Sequence, residues 1–116
     1  MRAEVTTFLP LSPASLHILL SLAGEDLHGY AIMQAVQRQS EGKYKLGPGT
    51  LYDNLQKMID RRLVEELGQK PKDDDPRRRY YRLSSLGRSV LAAEIDRLDQ
   101  VVREGKLRLQ LRPRRA

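Results

Sequence analysis

The residues best suited to chemistry lie in one stretch, residues 48–61, where polar side chains recur with helical spacing. Pro48 suits the first position of a helix, because its φ is already helical and its missing N–H is not needed there. Leu51, Leu55 and Met58 then recur at intervals of four and three, which predicts one apolar stripe. At ~100° per residue the opposite face and its flank carry the groups that address base edges and phosphates. These candidates are Thr50, Tyr52, Asp53, Gln56 and Lys57.

The charge balance points to a polyanionic partner. The 116 residues include 21 Lys and Arg against 15 Asp and Glu, a formal net charge of +6. Such a surplus is typical of nucleic-acid binding. Charge alone leaves a basic protein without such a partner as an equal alternative, just as a solvated surface helix is an alternative for residues 48–61.

Several classes of chemistry are disfavoured by the composition. The absence of Cys excludes disulfides, thiolate metal sites and Cys nucleophiles. His17 and His28 are too few for a metal site, and residues 73–75 lack a calcium-loop pattern. No nucleophile–base motif is visible, so we expect no cofactor, metal or catalysis. No apolar run reaches the ~20 residues of a membrane span, and residues 1–11 lack a signal-peptide pattern, which predicts a cytoplasmic protein.

The order of elements predicts a mainly α fold with a small β-hairpin. We expect helices over 13–23, 28–39 and 48–61, with Ser12 capping the first and a brief strand possible at 43–47. The period then shortens to about two over 63–68 and 79–83, which predicts a hairpin. A long helix follows from Ser84. The predicted divisions are a domain over 1–83 with 1–11 as a loose arm or interface segment, a helix over 84–105, and a basic, frayed tail over 106–116.

Three helices followed by a hairpin are the arrangement of a winged helix-turn-helix domain. The second helix of the pair, here 48–61, then enters the major groove, and the hairpin wing lies beside it. The wing carries five cations: Lys70, Lys72, Arg77, Arg78 and Arg79. Strand alternation lets only some of them face DNA, and a solvated charged loop is the alternative. Tyr30 and Lys45 are candidates for backbone phosphates, although Tyr30 packing on its neighbours is equally compatible with its position.

Three segments carry a family resemblance. Leu27-His28-Gly29-Tyr30, Gly49-Thr50-Leu51-Tyr52 and residues 80–87, Tyr-Tyr-Arg-Leu-Ser-Ser-Leu-Gly, occur in this order. They resemble the motifs of the PadR family of bacterial transcriptional regulators, over about residues 9–102. The single C-terminal helix is similar to the small subgroup of that family. Asp53 stands where proline is common, which predicts an altered base preference.

The resemblance implies a homodimeric repressor that binds double-stranded DNA at a pseudo-palindromic operator and responds to a small effector, often aromatic, near the dimer interface. It also implies that Thr50 and Tyr52 contact phosphates. Gln56 and Lys57 have the reach and the donor groups for bases, so together with Asp53 they are expected to carry the sequence preference. Leu91, Ile95, Leu98 and Val102 are spaced by four, three and four residues, which is a heptad seam suited to self-pairing. The alternatives are a helical adaptor that uses this seam, or a ligand-binding protein without sequence-specific DNA binding.

Overall fold

The computed structural model describes residues 2–68 and 78–110. In these ranges the chain forms five helices and three short strands, in the order α1-α2-β1-α3-α4-β2-β3-α5. The helices are α1 (Arg2–Thr6), α2 (Pro13–Leu22), α3 (Gly29–Gln39), α4 (Pro48–Asp60) and α5 (Ser85–Gln110). The strands are β1 (Leu27–His28), β2 (Val64–Gly68) and β3 (Tyr80–Leu83). The predicted fold class, a winged helix-turn-helix order followed by a long helix, is confirmed.

The helix starts follow from side chains that accept a backbone N–H. The Ser12 hydroxyl accepts from Ser15 N at 3.1 Å, and Pro13 then begins α2. The Ser84 hydroxyl accepts from Gly87 N at 2.9 Å and so caps α5. At α4 the cap is Gly47 without a side-chain bond, and Pro48 occupies the first turn. These contacts satisfy N–H groups that a helix cannot pair internally.

The third strand lies elsewhere than expected. Residues 43–47 form no strand; instead β1 pairs with β3, with Leu27 opposite Tyr81 and His28 opposite Tyr80, giving the antiparallel order β1-β3-β2. The loop before α4 is satisfied locally, because the Ser40 hydroxyl binds both Tyr44 N at 3.0 Å and Tyr44 O at 3.1 Å. Pairing with β1 fastens the start of α3 to the base of the wing.

The core gathers the apolar faces of α2, α3 and α4, the inner side of the sheet and the first turns of α5. Leu51, Leu55 and Met58 are buried, which confirms the predicted stripe of α4. The polar face of α4 is therefore turned outward by the packing of this stripe.

The start of α5 is held against the sheet by a close approach at Gly87. A Cβ on Gly87 would lie 2.1 Å from the Leu63 carbonyl oxygen and 2.9 Å from Leu83 Cδ1. Ser84 adds two bonds to the same segment: its N donates to Leu63 O at 3.0 Å, and its hydroxyl donates to Arg62 O at 2.6 Å. This junction fixes the direction in which α5 leaves the winged domain.

Replacing Gly87 with Ala should lower the free energy of unfolding by about 1–3 kcal/mol, because the new methyl group meets a backbone oxygen that cannot move alone. Gly105→Ala, in the same helix, is the matched control, because no atom lies within 4 Å of its added Cβ. That variant should gain about 0.5–1 kcal/mol from helix propensity. Urea unfolding measures both values. A Gly87→Ala protein as stable as the wild type would contradict the close approach.

Helix α5 differs from the prediction in two respects: where its exposed seam begins and where the helix ends. Leu91 is only 6% exposed and belongs to the core of the single chain, because the first turns of α5 pack on the winged domain. The exposed seam begins later, with Ile95 at 43%, Leu98 partly buried and Val102 at 50%. The helix also continues past Gly105 to Gln110, so residues 106–110 are helical and not frayed. Ion pairs joining Asp99 to Arg103 and Glu104 to Arg108 span this region.

A buried carboxylate ties the N-terminal arm to α5. Glu94 is 1% exposed and accepts from Leu11 N at 3.0 Å and from Arg97 Nε at 2.6 Å and Nη2 at 3.0 Å. The Arg97 hydrogen bonds hold the pKa of Glu94 below its usual value; burial acts in the opposite direction, and the hydrogen bond from Leu11 adds to the lowering. The folded state therefore favours the charged carboxylate.

Glu94→Gln should cost about 2 kcal/mol of unfolding free energy at pH 7, because it removes a charge-assisted hydrogen-bond pair from a buried site. A pKa lowered by folding adds stability above the unfolded pKa, near 4.5, and that stability is lost as the pH falls through the lower folded value. The difference between variant and wild type should therefore shrink below about pH 4.5. Glu104→Gln, in an exposed pair, is the control and should change stability by less than about 0.5 kcal/mol. A difference that stays constant down to pH 3 would contradict this assignment.

Candidate nucleic-acid interface

The outward face of α4 carries the predicted recognition residues. Thr50, Tyr52, Asp53, Gln56 and Lys57 are all exposed. Packing of Leu51, Leu55 and Met58 into the core leaves these polar groups on the opposite side and flank of the helix. Their contact with DNA stays a prediction.

The polar groups of α4 are not equally available. Gln56 Nε2 donates to Asp60 Oδ1 at 3.0 Å, and Asn54 Nδ2 donates to Thr50 O at 2.8 Å, so both amides are engaged within the helix. By contrast, Asp53 and Lys57 make no side-chain hydrogen bond or ion pair with any described residue. The carboxylate and the ammonium group are therefore open to an external partner.

A cleft beside α4 brings several predicted residues together. It has a volume of about 480 Å³ and lies between the start of α3, the first turn of α4 and the base of the wing. Its lining residues are His28, Gly29, Tyr30, Tyr52, Arg78, Arg79 and Tyr81. Hydroxyl and guanidinium groups around one open cleft suit a phosphate, which accepts hydrogen bonds from both.

Tyr52 joins α4 to α3 across this cleft. A Cβ on Gly29 would lie 2.1 Å from the Tyr52 hydroxyl oxygen, so the ring end rests where any larger side chain would stand. Tyr52 nevertheless stays 49% exposed, and Tyr30 is 61% exposed on the next residue of α3. The two tyrosines thus present hydroxyls at the rim, while Gly29 allows the close packing beneath them.

Two of the five predicted wing cations lie among the described residues, and both line the cleft. Arg78 and Arg79 are exposed and line the cleft, and Arg79 Nε also lies 3.7 Å from Glu66 Oε2 on the neighbouring strand. Lys70, Lys72 and Arg77 fall outside the described residues. Lys45 is exposed on the loop before α4 and is not among the residues that line the cleft.

Two residues of the cleft, His28 and Tyr81, were not among the DNA-binding candidates predicted from the sequence. His28 Nδ1 accepts from Ala31 N at 3.3 Å, capping α3, and its ring meets the Tyr80 ring edge-on at 5.3 Å. Burial raises the pKa of Tyr81, and the Glu66 carboxylate adds to that effect, so Tyr81 keeps a neutral hydroxyl. The position of His28 just before a predicted helix was the sequence signal that could have identified it. Tyr81 could be placed in the cleft only once the pairing of β1 with β3 was known.

The described residues contain no group of three or more His, Asp and Glu side chains that would hold a metal ion. Within the same ranges, no helix combines the length and the apolar character needed to cross a bilayer.

Comparison with known proteins decides the family. The profile of the transcriptional regulator PadR-like family matches residues 18–93, from within α2 to the third turn of α5. The chain belongs to the PadR-like family. The match includes every residue that lines the cleft and the whole of α4. The two PadR motifs that contain Tyr30 and Tyr52 therefore meet at the cleft.

Two relatives show what this chain is similar to in sequence. The transcriptional regulator Rv3488 of Mycobacterium tuberculosis is 34% identical over 90 residues, which are 77% of this chain and 78% of that protein. An uncharacterized 37.1 kDa protein in transposon TN4556 of Streptomyces fradiae is 37% identical over 81 residues. That match takes in 70% of this chain but only 21% of the larger protein.

Solved structures of PadR proteins share the fold. A PadR family transcription regulator from Clostridium difficile superimposes with a TM-score of 0.66 at 23% identity, covering 84% of this chain and 98% of that one. Bacillus subtilis PadR in complex with operator DNA gives a TM-score of 0.64 at 19% identity, covering 74% of this chain and 48% of that one. The chain is accordingly a PadR-family transcriptional regulator with a winged-helix DNA-binding fold.

Gly29→Ala should weaken DNA binding by about tenfold while the protein stays folded. The added methyl group displaces the end of the flexible Tyr52 side chain, and a lost charged-phosphate hydrogen bond is worth about 1.5 kcal/mol. Gly24→Ala, in the connection before β1, is the control, because its Cβ would meet no atom within 4 Å and Gly24 does not line the cleft. Fluorescence anisotropy with a labelled duplex gives the affinities, and circular dichroism checks the fold. Equal affinities for the two variants would contradict a role of the Tyr52 position.

Proposed function

We propose that this PadR-family chain is a homodimeric repressor that binds a pseudo-palindromic operator and is released by a small aromatic effector. Each winged domain reads one half-site, with α4 in the major groove and the cleft on the adjoining backbone. The observation that carries the proposal is the meeting of Tyr30, Tyr52, Arg78 and Arg79 beside the outward face of α4. Base-reading and phosphate-binding groups are thereby presented on one side of the domain.

The phosphate contacts would account for the basic composition. Each phosphate that the protein neutralises releases counterions, so affinity should fall steeply with salt. Arg78 and Arg79 stand at the base of the wing, where a backbone strand beside the groove would pass. Thr50 and Tyr52 belong to the first turn of α4, whose N–H groups and positive dipole end also favour a phosphate.

The distal half of α5 supports a dimer. From Ile95 onward, Ile95, Val102 and Leu109 recur every seven residues on one face of the helix and stay 43–76% exposed. Their exposure along a single helix is costly in water and is relieved when a second copy packs against it. A two-fold dimer places two α4 helices in successive major grooves, which is why we expect a pseudo-palindrome.

A groove between α1 and α5 supports the effector. It has a volume of about 700 Å³ and is lined by Val5, Leu86, Ala92 and Ala93, with Arg62, Glu4 and Asp96 at its polar edge. Its apolar walls with a few charged groups suit a small aromatic molecule that carries a polar substituent. Occupation of a groove beside the dimer helix would alter the angle of α5 and the separation of the two α4 helices.

The proposal is tested by selecting tight binders from a pool of random duplexes and measuring affinity by fluorescence anisotropy. We expect an inverted repeat bound by two chains, with affinity at least about 10³-fold above random duplex at physiological salt. Equal affinity for selected and random sequences would refute sequence-specific regulation. Together with a stable monomer in light scattering, that result would favour an adaptor.

The dimer is tested by Val102→Asp. A carboxylate in the apolar contact should leave the single chain folded, because Val102 is 50% exposed, but should shift light scattering to the monomer. Affinity for the full operator should then fall to that for one half-site. Gln100→Asp, two residues away and about 200° around the helix, is the matched control and should remain a dimer. A dimeric Val102→Asp protein would exclude this face as the contact.

A further inference from the structure

We propose that Asp53 and Lys57 together make this regulator select a G·C-containing half-site, with Asp53 reading a cytosine and Lys57 a nearby guanine. The inference rests on the proposed function, since it assigns the bases read by α4. The inference goes beyond the proposed function by naming the base pair that is read and the two side chains that read it.

Asp53 occupies the centre of the exposed face of α4. At ~100° per residue, Asp53 lies almost opposite the mean direction of Leu51, Leu55 and Met58, which point into the core. Lys57 follows one turn later and about 40° around the helix. When this face enters a groove, Asp53 points to the base edges, while residues at its margins meet the phosphates.

Both side chains are available for that contact. Asp53 and Lys57 stand in the i, i+4 order that favours an ion pair within a helix. The structure nevertheless keeps them apart: neither makes a hydrogen bond or ion pair with another described residue. Gln56, which has a longer reach, is instead held by Asp60 at 3.0 Å. Asp53 is therefore an open charged acceptor, and Lys57 an open charged donor, on this face.

The chemistry of the groove then selects the base. A carboxylate approaching a polyanion is repelled unless it finds a donor, and the major groove offers only two, cytosine N4 and adenine N6. Beside adenine N6 lies the acceptor N7, which repels the carboxylate, whereas cytosine N4 has no acceptor next to it on the same base. Asp53 thus favours cytosine mainly by penalising the other bases.

Lys57 adds the second half of the preference. Four helical residues advance by about 6 Å, which is close to two base-pair steps of ~3.4 Å. From there the ammonium group reaches the acceptors O6 and N7, which guanine alone presents as a pair. We therefore expect the guanine within two base pairs of the cytosine in each half-site.

The test compares wild type with Asp53→Asn on the selected operator and on single-base variants of it. Wild type should require cytosine at one position per half-site, and each change there should weaken binding at least about tenfold, because one good base contact discriminates by this order. Asn is neutral and pairs with adenine N6 and N7, so Asp53→Asn should prefer adenine at that position. Since the Asp53→Asn protein also loses the repulsion between the carboxylate and the DNA phosphates, its affinity for random duplex should rise. The decisive quantity is therefore the ratio of one protein's affinities for the different operator variants.

A matched control separates base reading from overall charge. Asp99→Asn makes the same chemical change on α5, where Asp99 pairs with Arg103, and should leave the base preference unchanged. If a specific operator exists but Asp53→Asn keeps the wild-type preference at every position, the inference is wrong and the proposed function stands. If wild type prefers no sequence over random duplex, the proposed function is wrong and the inference falls with it.

Discussion

The contact of the Tyr52 ring with Gly29 is the constraint on which the proposed interface depends. It sets how closely α4 approaches α3, and β1, which directly precedes Gly29, pairs with β3 of the wing. Three parts of the chain are thus joined around one cleft. Because a side chain larger than hydrogen at Gly29 would take the place of the Tyr52 ring end, the glycine and the tyrosine act as one packing unit.

A second junction sets the direction in which α5 leaves the winged domain. Ser84 and Gly87 hold the first turn of α5 against Leu63, and Glu94 ties the third turn to Leu11 of the arm. The early part of α5 is therefore packed onto the winged domain, while its distal apolar face is left for a second copy. In the proposed dimer, the direction of α5 determines where the two α4 helices stand on DNA.

Much of this could be predicted from the sequence, because the local signals are strong. Pro48, the stripe of Leu51, Leu55 and Met58, and the cap at Ser12 predicted their helices, and the period of two predicted the hairpin. The errors came where distant residues decide. The alternation in 43–47 resembles a strand, but the partner of β3 is the two-residue β1, too short to show a period. Leu91 fits a heptad as well as Ile95 does, and only packing separates them. The i, i+4 spacing permits both a Gln56–Asp60 bond and an Asp53–Lys57 ion pair, and spacing could not reveal that only the first forms.

The central claim is that α4 and the adjoining cleft form the DNA-binding face, and amide chemical-shift mapping tests it most directly. The isotope-labelled protein is titrated with its selected operator and, separately, with a random duplex of equal length. The account predicts that the operator causes its largest shifts within 28–30, 49–57 and 78–81. Shifts concentrated in α1 and the distal half of α5, with the cleft and α4 unchanged, would contradict it.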